Sequence, residues 1–133
     1  METITLQRSG KGPLQFNGEL VARSEGERQA HREHARYHDV AIYRTEGGSF
    51  VLWISYVTKW AGEVGHTTAE VIQDEQEMLT AFDKYDPTAH VVGFPPHENF
   101  REKQERLLDD IAARWKSQVS DVLNSDEFAE QVK

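Results

Sequence analysis

The stretch from His38 to Trp60, HDVAIYRTEGGSFVLWISYVTKW, constrains the fold more than any other part of the chain. Two runs rich in β-branched and aromatic residues flank Gly47-Gly48. A two-residue type I′ hairpin needs positive φ at both central positions, and adjacent glycines supply it. A turn there pairs Ile42 with Trp53, Val40 with Ser55 and His38 with Val57 on one face. On the other it pairs Tyr43 with Leu52, Ala41 with Ile54 and Asp39 with Tyr56. Both faces are then apolar, and a strand apolar on both faces has to be covered twice. Helices supply one cover. The other is a further part of this chain, a second subunit or a ligand.

The segments before the hairpin also alternate. In TITLQ, Ile4 and Leu6 share a face, and RSGKGP then supplies turn residues. In LQFNGELVAR the alternation sets Leu14, Phe16, Gly18, Leu20 and Ala22 on one face, with Gly18 marking a bulge or bend. EVGHTTAEVIQ reads as a further strand and TAHVVGF as a short one. DEQEMLTAFDKYDP reads as a helix, with Asp74 and Glu77 spaced as a capping box and Met78, Phe82 and Tyr85 as its stripe. From about residue 98 to 123 Phe100, Leu107, Leu108, Ile111, Trp115, Val119 and Val122 recur at helical spacing. Such a helix, about 38 Å at ~1.5 Å per residue, exceeds what a small sheet covers. Four or five strands followed by two or three helices predict an α+β fold over residues 1–133 as one domain: an antiparallel sheet with helices on one face.

Charge narrows the function classes. Residues 1–60 carry eight Lys/Arg and seven Asp/Glu, whereas residues 61–133 carry seven and sixteen. An acidic half disfavours phosphate backbones, so no direct nucleic-acid binding is expected, and a protein partner with a basic surface is the complementary possibility. Without cysteine the chain has no disulfide and no thiolate chemistry. No apolar run is long enough for a membrane span, and METITLQRSG lacks the pattern of a signal peptide, so a cytoplasmic location is expected.

HREHARYHD raises the question of metal. Helical spacing would align His31, His34 and His38, a set able to hold zinc with one open position. But His38 opens a strand, and Arg28, Arg32 and Arg36 oppose a cation, so a polar connection is the simpler reading and no cofactor is expected. Nor is there a phosphate-loop, zincin or nucleophile-elbow motif. His66 with Glu63, or His38 with Asp39, serves acid–base chemistry only if the side chains converge in a pocket, with Tyr56 beside them. The aromatics carry more weight. Tyr43, Trp53, Tyr56, Trp60 and Trp115 are the residue types that interfaces favour.

Three stretches, ETITLQ, FNGELVAR and VAIYRTEGGSFVLW, together resemble the C-terminal domain of the bacterial EXLDI family, and LLDDI loosely echoes the acidic motif that names it. The resemblance covers residues 2–60. Members carry a ribbon-helix-helix segment ahead of this domain, and none is read here. The resemblance implies a regulatory or accessory interaction domain. The expected function is a non-enzymatic, self-associating homodimer, with a regulatory role or a mobile-element origin as its expected setting. Two alternatives remain: a small enzyme or ligand binder using His38, Asp39, Tyr56 or His66, and an acidic mimic that blocks a DNA-binding protein.

Overall fold

The computed structural model describes residues 1–26, 35–93 and 100–131. Five strands come first: β1 (Glu2–Arg8), β2 (Lys11–Glu25), β3 (Arg36–Thr45), β4 (Phe50–Thr58) and β5 (His66–Ile72). Each pairs antiparallel with the next, so spatial order equals chain order. Three helices follow: α1 (Glu75–Lys84), α2 (Arg101–Leu123) and α3 (Asp126–Gln131). The fold is α+β, with the helices packed against a curled antiparallel sheet. Among the described residues no helix is long and apolar enough to cross a membrane.

The β3–β4 hairpin forms, but one residue out of the register that a Gly47-Gly48 turn gives. Only Gly48 has positive φ, at 91°. Gly48 N–H donates to Thr45 O at 3.0 Å and Thr45 N–H to Ser49 O at 2.8 Å. The loop is therefore a three-residue turn closed by a left-handed glycine. Ile42 faces Leu52, Val40 faces Ile54 and His38 faces Tyr56, while Tyr43 faces Val51 and Ala41 faces Trp53. The Thr45 hydroxyl decides the turn locally, by accepting the Ser49 N–H at 3.1 Å.

Two further corrections have local causes. The β2 bulge sits at Val21, between the pairs Leu20–Tyr43 and Ala22–Ile42, and not at Gly18. The extra residue turns Leu20 outward, 49% exposed, and buries Val21 beside Ala22. The stretch TAHVVGF, read as a short strand, is turn and irregular chain over its described residues 88–93. There Asp86 accepts both the Thr88 N–H and hydroxyl, at 2.9 and 2.7 Å, and offers the backbone an alternative to a ladder.

Gly18 has another role. It pairs with Glu2 on one side and Thr45 on the other, and a Cβ there would press into the Arg44 carbonyl oxygen and the Phe16 ring. Backbone cannot yield as a side-chain tip does. Gly18→Ala is expected to cost about 2 kcal/mol, within the usual range for overpacking, as a lowered urea midpoint at unchanged slope.

The second apolar face is covered by the chain itself, because the sheet curls until β1 meets β5. Ser9 N–H donates to Thr67 O at 2.8 Å, and Thr67 N–H donates to the Ser9 hydroxyl at 2.9 Å. Leu6, Val51 and Ala69 are buried on this face, with Ile4, Leu14, Phe16, Tyr43 and Trp53 packed against them. The opposite face carries the larger core. Val40, Ile42, Leu52, Ile54 and Ile72 meet Met78 and Phe82 of α1, Trp115 and Val122 of α2, and Phe128 of α3.

The capping pattern read at Asp74 is present: its carboxylate accepts the Glu77 N–H at 2.8 Å, and Glu77 reaches back to the Gln73 N–H at 3.2 Å. In α2 the buried residues are Ile111, Trp115, Gln118 and Val122, spaced four, three and four apart. Trp115 and Val122 of the helix read as longer than the sheet covers are thus used by the chain's own core. Residues 101–110 of the same helix bury none of their side chains.

Candidate functional site

Strand parity assembles the site. Arg36, His38, Val40 and Ile42 share the helix-facing side of β3. The ladder sets His38 opposite Tyr56 and Tyr56 opposite His66. Three of the four acid–base candidates therefore lie in one row across β3, β4 and β5. Asp39 projects to the other face, as adjacent strand residues must. Its carboxylate accepts the Gly26 N–H at 3.0 Å, so a His38–Asp39 pair does not form. A His66–Glu63 pair does not form either. The His66 ring stacks on His90 with centroids 3.9 Å apart, and Glu63 has other partners.

Those partners form a buried ionic knot. The Arg36 guanidinium grips Glu63 bidentately, with Nε at 2.9 Å from Oε1 and Nη2 at 2.9 Å from Oε2. Arg36 Nη2 also donates to Val92 O at 3.1 Å, Val92 N–H donates to Glu63 Oε2 at 2.9 Å, and the Tyr56 hydroxyl donates to Glu63 Oε1. The Glu63 side chain is fully buried and that of Arg36 is 9% exposed. Burial by itself would raise the Glu63 carboxyl, but the bonds from Arg36, Tyr56 and the Val92 N–H outweigh it and hold the group down at about 2. Tyr56 is shifted upward by burial and by its bond to Glu63.

His38 sits beside the knot, 3% exposed, its ring 5.0 Å from Trp115, 5.1 Å from Tyr56 and 5.7 Å from Tyr85. Its carbonyl accepts from Gln118 Nε2 at 2.7 Å, and Gly26 passes so close above it that a Cβ would clash. His38 Nε2 has no hydrogen-bond partner among the described residues. Burial first, then the charge of Arg114 and the neighbouring His90, push its pKa down to about 4. The cavity lined by His38, Tyr56, Arg36 and Gln118 measures about 10 Å³. That is about the space of one water molecule, and no substrate fits.

His31 and His34 of the histidine triad lie outside the described residues. Among the described residues no group of three or more His, Asp or Glu is placed to hold a metal ion. Of the five aromatics assigned to an interface, Tyr56 and Trp115 are buried in the core, and Tyr43 and Trp53 are half-buried inside the curl. Trp60 remains on the surface, 50% exposed, with its ring 4.8 Å from the Arg36 guanidinium carbon. Val64 and Val92 are also exposed, 79% and 54%, Val64 next in sequence to Glu63 and Val92 bonded through its backbone to Arg36 and Glu63.

Sequence reading named Glu63 only as a partner for His66 and Arg36 only as a charge opposing metal. Parity could have found Arg36, which lies in phase with His38, Val40 and Ile42. Comparison with family models, curated proteins and solved structures finds no match.

Proposed function

We propose that this chain is a non-catalytic protein-interaction domain that pairs with a second copy of itself through Trp60, Val64 and Val92. One observation carries the reading: an exposed tryptophan is fixed in place by a buried ion pair. Arg36 holds the Trp60 ring from beneath, Glu63 holds Arg36, and Val92 is tied to both by its backbone. A pre-set aromatic anchor loses little conformational freedom on binding, which is how interface hot spots gain affinity. The choice of a second copy rests on charge. The chain carries a net −8, so two copies repel over most of their surfaces. At this patch the Arg36 guanidinium is already neutralised by Glu63, so an isologous contact buries no unpaired charge from the knot. The resemblance of residues 2–60 to EXLDI domains fits an accessory interaction role. The polar groups considered for catalysis are engaged or sealed, which also favours a structural use.

Size exclusion with light scattering tests this. At about 100 μM a micromolar dimer is well populated. Trp60→Ala is expected to raise the dissociation constant by at least tenfold, about 1.4 kcal/mol, with the fold unchanged by circular dichroism. A strictly monomeric mass for the unaltered chain at that concentration rejects self-association.

A further inference from the structure

A different part of the molecule carries a ligand-binding inference, independent of the dimer. Between α1 and β5 runs an open groove of about 610 Å³, closed on its third side by the β1–β2 turn. Its origin is a local failure of apolar packing. At one end Ile72 meets Met78 and Phe82, and the sheet–helix interface is full. Further along, the helix-facing positions of β5 are Glu70, Thr68 and His66, while α1 offers Ala81 and Thr80. Short polar side chains thus stand where large apolar ones would have closed the layer, and the gap falls in the size range of small-molecule sites.

The lining has a definite chemistry. Arg8 and Lys11 come from the β1–β2 turn and Lys84 from the last turn of α1, three cations in a chain that is otherwise acidic. Ser9 and Thr68 add hydroxyls to the lining, whereas the Thr80 hydroxyl donates to Gln76 O at 3.0 Å and that of Thr67 bonds Ser55 Oγ at 3.0 Å. Two carboxylates, Glu70 and Glu77, are also present and leave a small positive excess. A dianionic head group matches three cations and hydroxyl donors. The carboxylates repel that head but accept hydrogen bonds from a hydroxylated tail. We infer that the groove binds the phosphate monoester of a small polyol, with the phosphate toward Arg8, Lys11 and Lys84 and the hydroxyls toward Glu70 and Glu77.

Amide NMR titrations of the intact chain test this with sn-glycerol 3-phosphate, inorganic phosphate and glycerol. The expected result is saturable shifts centred on Thr67, Thr68, Thr80 and Lys84, with glycerol phosphate tighter than phosphate and glycerol inert. Lys84→Met is expected to weaken binding about tenfold, the scale of one charge-assisted contact. Thr68→Leu, which fills the groove without touching a cation, should abolish it while the spectrum stays dispersed. The inference is overturned if no probe saturates below about 20 mM, a bound weaker than any specific millimolar site. Equal shifts in the Thr68→Leu variant also overturn it, because the anion then sits elsewhere on the surface.

Discussion

Replacing Glu63 with alanine is expected to cost about 3–5 kcal/mol, the range for removing one partner of a buried ion pair. The cause is the charge left behind. The Arg36 guanidinium, with its side chain 9% exposed, would keep its Val92 carbonyl contact and lose the carboxylate that neutralises it. The Tyr56 hydroxyl and the Val92 N–H would each lose an acceptor as well. That is a large share of the roughly 5–15 kcal/mol a domain has in total, so the variant should show a much lower urea midpoint. A paired replacement separates the ionic penalty from mere loss of packing. Arg36→Met with Glu63→Leu fills a similar volume without charge, and isosteric apolar replacements of buried pairs are often neutral. The double variant should therefore be markedly more stable than Glu63→Ala. If the two are equally unstable, the knot contributes shape, not charge compensation. Acid should act in the same direction. The Glu63 carboxyl is depressed to about 2 from an ordinary 4.5, so its contribution is complete above pH 4.5 and is lost as pH falls through 2.

The knot joins three parts of the chain that lie far apart in sequence, and this explains why it was hard to read. Alternation marks which residues share a face; it placed His38, Val40 and Ile42 together and, carried two residues further, adds Arg36. It cannot say that the β4–β5 loop folds back over that end of the sheet and delivers Glu63. The same limit applies to the second apolar face. The pattern on both sides of the hairpin was legible, but its cover was not, because curl is a property of the whole sheet. Once β1 closes on β5, Tyr43 and Trp53 pack against a neighbouring strand layer of the same chain. The register error had a smaller cause. A Gly-Gly pair fits a two-residue turn, but the Thr45 side chain bonds the Ser49 N–H and favours one more residue in the loop. The capping box at Asp74 and the stripe of α1 were readable because they depend on neighbours within one turn of helix. The groove beside β5 was visible only as polar alternation at His66, Thr68 and Glu70. Nothing local shows that a helix passes over those positions without filling them.

His38 gives the chain a second acid sensitivity, in a window that Glu63 does not reach. In the unfolded chain its imidazole takes a proton near pH 6.5, whereas in the fold it does so only at about 4. A depressed histidine is a proton acceptor that the folded state withholds. Its contribution is therefore fully present above pH 6.5 and declines as pH falls toward 4, because the unfolded chain gains the proton first. A difference of that size corresponds to roughly 3 kcal/mol. The cause is geometric: the ring lies against Trp115, Tyr85 and Tyr56, with the Arg114 cation nearby and room for about one water. Urea titrations at pH 7 and pH 4.5 should show the loss in the unaltered chain. In His38→Leu, an apolar replacement without a titrating group, the dependence between those values should flatten, even if its stability at pH 7 is lower. Parallel pH profiles for the two proteins would mean that the buried imidazole is not what the acid reaches.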